Sequence, residues 1–343
     1  MWLNWDSTFM GLSSLLEFTE RGIYVPKGDF YIDPNKKVKY AVITHAHSDH
    51  AISGHQNYLC THLSKPILKL RLGSKIKIQS LDYAESLNIN GVKVSFHPAG
   101  HIPGSAQVRL EYKGNIVIIS GDYKLENDGL ADPFEIIKCH EYVTESTFAL
   151  PVYQWQKQDI IYKEIYDWWQ YNQSQKKASI INSYPLGKSQ RLIHAMHQYS
   201  SNISCHSSIE ATNQSYRSID VPIPTLIDIM DIPKRDAHKY LILTPTIISQ
   251  AYWMQNFPGF EIAEASGWMA TKNRRHKSSS NRQFTLSDHA DWNALNTTID
   301  ATGAEKVFVT HGFCFEFSEY LKEKGIQAYN LDSILKSNKS IAD

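Results

Sequence analysis

The sequence predicts an α/β protein in two parts, and three observations carry that reading. Short apolar runs at residues 40–43 and 115–119 have the length of buried strands, and each leads into histidine or aspartate. From about residue 151 the texture changes: strand-like runs at 177–182, 240–243 and 260–263 alternate with helical stretches, including 189–199. This βαβ rhythm implies a small parallel sheet wrapped by helices. The strand-end histidine pattern then resumes only at Leu286. The expected organisation is one domain made of residues 1–150 and 285–343, interrupted by a second made of residues 151–284.

At 343 residues, 42% hydrophobic and 20% charged, the composition is that of a soluble globular protein. The formal net charge is zero, so no global basic field announces nucleic acid, and any such surface must be local. Cys60, Cys139, Cys205 and Cys314 lie far apart with no CxxC pair, which argues against a zinc knuckle or a disulfide framework. The first residues lack the charged and apolar regions of a signal peptide, and no apolar run approaches the ~20 residues of a membrane span. The expected setting is the reducing cytoplasm, away from membranes.

In chain order, residues 22–26 and 30–34 read as short strands broken by Lys27-Gly28-Asp29 and by Pro34. Asp33 stands at the second strand's end, where two readings stay open: a turn aspartate, or a carboxylate that orients a metal-ligand histidine. The strand at 40–43 runs into Thr44-His45-Ala46-His47-Ser48-Asp49-His50. In an extended segment His45 and His47 point the same way. Asp49 and His50, at an expected helix start, face a second point. Solvated loops rarely carry three histidines and an aspartate in this order, so the stretch reads as ligands for two metal ions.

A strand at 58–61 and a helix at 65–72 closed by Gly73 follow. The alternating strand 92–96 leads into His97-Pro98-Ala99-Gly100-His101. Pro98 restricts His97 to an extended conformation, whereas His101 lies in a turn beyond Gly100 and is free to reach inward. His101 is the expected ligand and His97 a neighbour. The strand 115–119 ends in Ser120-Gly121-Asp122, where the glycine permits a sharp turn and the carboxylate offers two oxygens to bridge two cations. Another strand, 142–144, delivers Glu145. Over residues 159–169, Ile160, Ile161, Ile165, Trp168 and Trp169 form a core stripe at helical spacing.

Two later stretches are expected to meet substrate. Residues 184–191 follow a strand and open a helix, so Lys188, Ser189 and Arg191 sit where helix-terminal N–H groups receive phosphate; an ordinary strand-to-helix turn is the other reading. Arg274, Arg275 and Lys277 belong to the densest basic run, placed to meet a polyanion. Residues 286–292, including Asp288, His289 and Asp291, open a helix that runs to about 301 and ends at Gly303. The last core strand is expected at 306–310, ending in His311-Gly312.

Collected at strand ends, His45, His47, His101, Asp49, His50, His311 and Asp122 suit two divalent ions, zinc or manganese. One ion takes His45, His47 and His101, the other Asp49, His50 and His311, with Asp122 between. Two such ions lower the pKa of bound water and stabilise both oxygens of an in-line displacement at phosphorus; a carbonyl substrate is the alternative. His289 and Glu145 favour phosphodiesters: His289 as the general acid on the departing oxygen, Glu145 as its support or as an anchor for the ligands.

His45-Ala46-His47-Ser48-Asp49-His50 matches HxHxDH, the signature of the metallo-β-lactamase superfamily. Thr144-Glu145-Ser146-Thr147-Phe148, Ser287-Asp288-His289-Ala290-Asp291 and Thr310-His311-Gly312 resemble the further motifs of its β-CASP branch. The resemblance implies an αββα sandwich with an inserted β-CASP-like α/β domain that clamps nucleic acid. Residues 28–34, 120–124, 184–188 and 266–269 look like the bacterial ligase-associated DNA exonuclease family, which implies metal-dependent cleavage of DNA in repair, in association with a DNA ligase. A histidine in the last motif, as at His311, is typical of RNA-cleaving β-CASP members, so RNA processing is the alternative. A small-molecule ester, thioester or lactam hydrolase is a third reading, which the long inserted region disfavours.

Overall fold

The computed structural model describes residues 13, 15–245, 257, 259–271 and 280–334. The short apolar runs of the first hundred residues become β1 (Glu17–Thr19), β2 (Gly22–Val25), β3 (Phe30–Ile32), β4 (Tyr40–Val42), β5 (Asn57–Thr61), α1 (Ser64–Leu72) and β6 (Ile78–Leu81). These six strands form one sheet in sequence order, antiparallel as far as β3 and parallel beyond it. Then come β7 (Ser86–Ile89), β8 (Val92–Pro98), β9 (Ala106–Tyr112), β10 (Asn115–Ile119) and β11 (Glu141–Ser146). The helix expected to begin at Asp49 is absent. Ser48–His50 form a turn, and the chain returns at once to pair Gln56 N–H with Val38 O and Asn57 N–H with Lys39 O.

The chain next forms α2 (Gln158–Ser174), β12 (Ala178–Asn182), α3 (Lys188–His197), β13 (Ile203–Cys205), α4 (Ser207–Arg217), β14 (Ile227–Asp228), β15 (Leu241–Thr244), β16 (Phe260–Ala265) and β17 (Arg282–Phe284). It closes with α5 (Trp292–Thr302), β18 (Lys306–Gly312), α6 (Cys314–Glu323) and β19 (Gln327–Asn330). The strand ending at His311-Gly312 is therefore not the last, because β19 pairs parallel to it at the sheet edge. Asp291 caps α5 by accepting from Ala294 N–H at 2.8 Å, and Gly303 ends it in the left-handed conformation.

The chain folds as two compact units. The first comprises Met1–Asn127, Ala131–Pro151 and Ala290–Asp343. Its second sheet has the order β19-β18-β11-β10-β9-β8-β7. The continuous apolar run of β10 is explained by its two covered faces. Val117 and Ile119 join Val42, Leu59, Phe96 and Val108 in a core between the two sheets. Ile118, with Tyr142 and Val307, faces Leu295 and Ile299 of α5 and Phe317 and Leu321 of α6. Each such side chain contributes about 1.5–3 kcal/mol by leaving water. The buried Ile67 and Leu68 of α1 cover the outside of the first sheet, completing a helix–sheet–sheet–helix sandwich.

The second unit comprises Asp128–Leu130 and Val152–His289. Its sheet is parallel throughout, in the order β14-β13-β15-β12-β16-β17. β12 is buried along its whole length. In α2, Ile161, Ile165, Trp169 and Asn172 form the buried face; Ile160 is half exposed and lies off the stripe, because it falls one position outside the helical repeat. Among the described residues no helix is long and apolar enough to cross a membrane.

Candidate metal centre

The site lies where parallel strands of both sheets in the first unit end. β4 stops at Val42, and the next residues are drawn toward Asp33 at the end of β3. Asp33 Oδ1 accepts from Thr44 N–H at 2.8 Å and Oδ2 from Thr44 Oγ1 at 2.5 Å. The same Oδ2 lies 2.7 Å from His50 Nδ1. Asp33 is thus an orienting carboxylate rather than a plain turn residue, and it holds its backbone at φ +43° to do so. Because the Thr44 hydroxyl gives its proton to Asp33, it accepts from His45 Nδ1 at 3.1 Å, which leaves the Nε2 lone pair of His45 facing the cluster. Arg71 of α1 donates to Ala46 O at 2.5 Å and fixes the backbone between His45 and His47.

The other groups arrive from β8, β10, β11 and β18. His101 sits in the turn after β8, its N–H donating to Ser105 Oγ at 3.1 Å. His97 is elsewhere engaged, with Nδ1 2.9 Å from Glu135 Oε2. Gly121 adopts φ +56°, and a Cβ there would lie 2.7 Å from Thr44 Cβ; the missing side chain lets the Asp122 turn close on the ligand loop. Glu145 Oε1 accepts from Tyr123 N–H at 2.7 Å, securing the same turn from the neighbouring strand.

A register shift at Glu145/Ser146 breaks the β11–β18 ladder beside His311. Ser146 Oγ donates to His311 O at 2.6 Å, and His311 itself has φ +54°. Gly312 follows at φ +96°, where a Cβ would lie 2.4 Å from Ser146 O. Gly312→Ala is therefore expected to lower stability by about 2 kcal/mol or more, read as the midpoint of urea unfolding.

Four ligand atoms of His45, His47, His101 and Asp122, all four residues buried, lie within 4.8 Å of one another. Nε2 of His45 and Nε2 of His101 are each 3.1 Å from His47 Nδ1. Asp122 Oδ2 is 3.5 Å from His45 Nε2 and 3.8 Å from His101 Nε2. Tetrahedral ligands at zinc–nitrogen bond length are about 3.3 Å apart, so the donor set fits one divalent ion. Asp49, His50 and His311 form a second group within 4.8 Å. Asp122 Oδ1 faces it, 3.4 Å from His50 Nε2 and 3.8 Å from His311 Nδ1. One carboxylate thus presents one oxygen to each group, as a ligand shared between two ions does.

The electrostatics agree with this arrangement. Burial, reinforced by neighbouring His50, holds the His45 pKa well below its ordinary value, so His45 is the neutral imidazole that metals bind. Burial opposes charge on His50 too, but Asp122 and Asp33 outweigh it and raise its pKa well above the ordinary value. The carboxylates therefore call for positive charge here, which divalent cations supply. The second group is the open one: the Asp49 side chain is 67% exposed and His311 41%. A cavity of about 140 Å³ is lined by Asp33, Asp49, His50, Asp122, Glu145 and His311.

The residues expected to bind substrate in the second unit fall differently. Ser189 is fully buried and bonded to Ser183 Oγ at 2.7 Å, and Arg191 is buried against Asp288 at 2.8 Å. Neither side chain presents a surface to phosphate, so that expectation is corrected. Lys188 Nζ is turned to Asp288 Oδ2 at 3.4 Å. The basic run with Arg274, Arg275 and Lys277 lies outside the described residues. His289 is partly buried; its N–H donates to Ser287 Oγ at 3.1 Å, and its carbonyl accepts from Trp155 Nε1 at 2.9 Å. Sequence reading passed over Thr44 and Arg71, whose roles depend on partners distant in sequence or on proton direction.

No family model matches the chain. A probable DNA ligase of Opitutus terrae is 26% identical over 310 residues, covering 90% of this chain and 30% of that protein. Endoribonuclease YSH1 of Saccharomyces cerevisiae is 31% identical over 80 residues, 23% of this chain and 10% of that protein. These relatives, with the His/Asp cluster, are consistent with the β-CASP branch of the metallo-β-lactamase superfamily. The helix–sheet–sheet–helix unit is the metallo-β-lactamase-type α/β sandwich of that branch. The chain spans less than a third of either relative's length. A crystal structure of an Enterococcus faecalis protein of unknown function shares the fold, with TM-score 0.58, 13% identity, and coverage of 81% of this chain and 76% of that one.

Proposed function

We propose that this β-CASP chain is a metal-dependent DNA nuclease that hydrolyses phosphodiester bonds as an exonuclease. The observation that carries the reading is Asp122, with one oxygen toward His45 and His101 and the other toward His50 and His311. Two divalent ions, zinc or manganese, would supply there an activated water and charge stabilisation for an in-line displacement. His45, His47 and His101 would hold the enclosed ion, and Asp49, His50 and His311 the open one. Asp33 fixes the ring of His50 through Nδ1, and Asp49, at the exposed mouth, accepts the proton that the attacking water loses. Glu145 secures the Asp122 turn. His289 protonates the departing oxygen. Residues 151–284 serve as the nucleic-acid clamp.

The Opitutus relative's name, a probable DNA ligase, supports a DNA substrate and work beside a ligase in repair. We place this activity in the cytoplasm. A second reading, an RNA-processing nuclease, is favoured by the endoribonuclease among the relatives and by the histidine at 311. Digestion of end-labelled, sequence-matched DNA and RNA strands with zinc or manganese separates them. The DNA reading expects stepwise shortening of DNA from one end and metal dependence; cleavage of RNA alone would move the assignment to the second reading.

A further inference from the structure

The loop that carries His289 is tied down inside its own unit by charges that the proposed reaction leaves unused. Arg191, near the start of α3, sends Nη2 to Ser287 O and to Asp288 Oδ1, each at 2.8 Å. Lys188, one turn earlier, lies 3.4 Å from Asp288 Oδ2. The Asp288 side chain, 7% exposed, thus has a cation at each carboxylate oxygen. Two cations at a helix N-terminus run against the helix dipole, and the first turn of α3 has no acidic residue of its own. Asp288 supplies the negative charge that makes this placement favourable. The backbone of His289 is held as well, its N–H donating to Ser287 Oγ and its carbonyl accepting from the Trp155 indole. These anchors lie on the backbone and on residue 288.

We infer that Lys188, Arg191 and Asp288 are a positioning device that fixes the direction in which His289 presents its imidazole. The inference rests on the reading of His289 as general acid. It gives Lys188 and Arg191 a role as inward anchors rather than phosphate ligands. Catalytic geometry is sensitive to such anchors, since a displacement of about 1 Å costs roughly a hundredfold in rate. A buried ion pair is also strongly disrupted when one partner loses its charge.

The test uses the full chain with Asp288→Asn, Arg191→Lys, His289→Ala and the Asp288→Asn/His289→Ala double variant. Turnover, KM and bound metal are measured, together with hydrogen exchange of the peptide containing residues 286–289. Asp288→Asn is expected to keep its metal and its KM within about twofold while kcat falls about ten- to a hundredfold. The double variant is expected to be no slower than His289→Ala alone, because Asp288 acts through His289. Exchange at 286–289 rises, while the β12 amides stay protected. Arg191→Lys, which keeps the charge but not the two-acceptor reach, falls between wild type and Asp288→Asn. Wild-type turnover in Asp288→Asn, additive losses in the double variant, or unchanged exchange at 286–289 would each overturn the inference. A wild-type protein that cleaves no nucleic acid with either metal would sink the nuclease reading instead. The exchange measurement would then still decide whether Asp288 holds the loop.

Discussion

Asp122→Ala is expected to lose bound metal at both groups and at least about a thousandfold in turnover. The side chain is 6% exposed and stands between His45 and His101 on one oxygen and His50 and His311 on the other. No neighbouring group can take over both directions, because Glu145 already accepts from Tyr123 N–H and Asp33 is committed to Thr44 and His50. Removing Asp122 also removes the negative charge that raises the pKa of His50. Metal content by plasma mass spectrometry and kcat on a labelled strand are the two readouts. Undiminished cleavage by the alanine variant would refute the shared-ligand geometry.

His289→Ala is expected to behave oppositely on the two readouts. Metal content stays at the wild-type level, since none of the seven proposed ligands is touched, while kcat falls by about 10²–10⁴-fold, the usual contribution of a general acid. A substrate whose leaving oxygen needs no proton, such as a nitrophenyl phosphodiester, is expected to recover most of the loss. If the variant lost metal and turnover together, His289 would belong with the ligands rather than with proton transfer.

Much of the candidate site was legible because its ligand-type residues cluster locally in the sequence. His45, His47, Asp49 and His50 fall within six residues, and the chain needs only a strand and a turn to aim them. His101, Asp122 and His311 were legible for a related reason: each follows an apolar run at or near a strand end. The glycines at 121 and 312 take conformations with positive φ that the turns require.

What escaped sequence reading depends on partners distant in the chain. Lys188 and Arg191 look like phosphate ligands at a helix start, and only Asp288, about a hundred residues later, turns them inward. β13, β14 and β17 have two or three residues each, too few for a periodicity to show. The turn at Ser48–His50 resembled a helix start because a capping aspartate and a turn aspartate are alike in sequence. Asp33 could be read either way until Thr44 and His50 were seen to converge on it.

The central claim is that seven side chains grip two cations, and anomalous diffraction from crystals grown with manganese tests it most directly. The account predicts two peaks, one among His45, His47, His101 and Asp122, the other among Asp49, His50, His311 and Asp122. Manganese bound away from these residues, or no peak at either group, would contradict it.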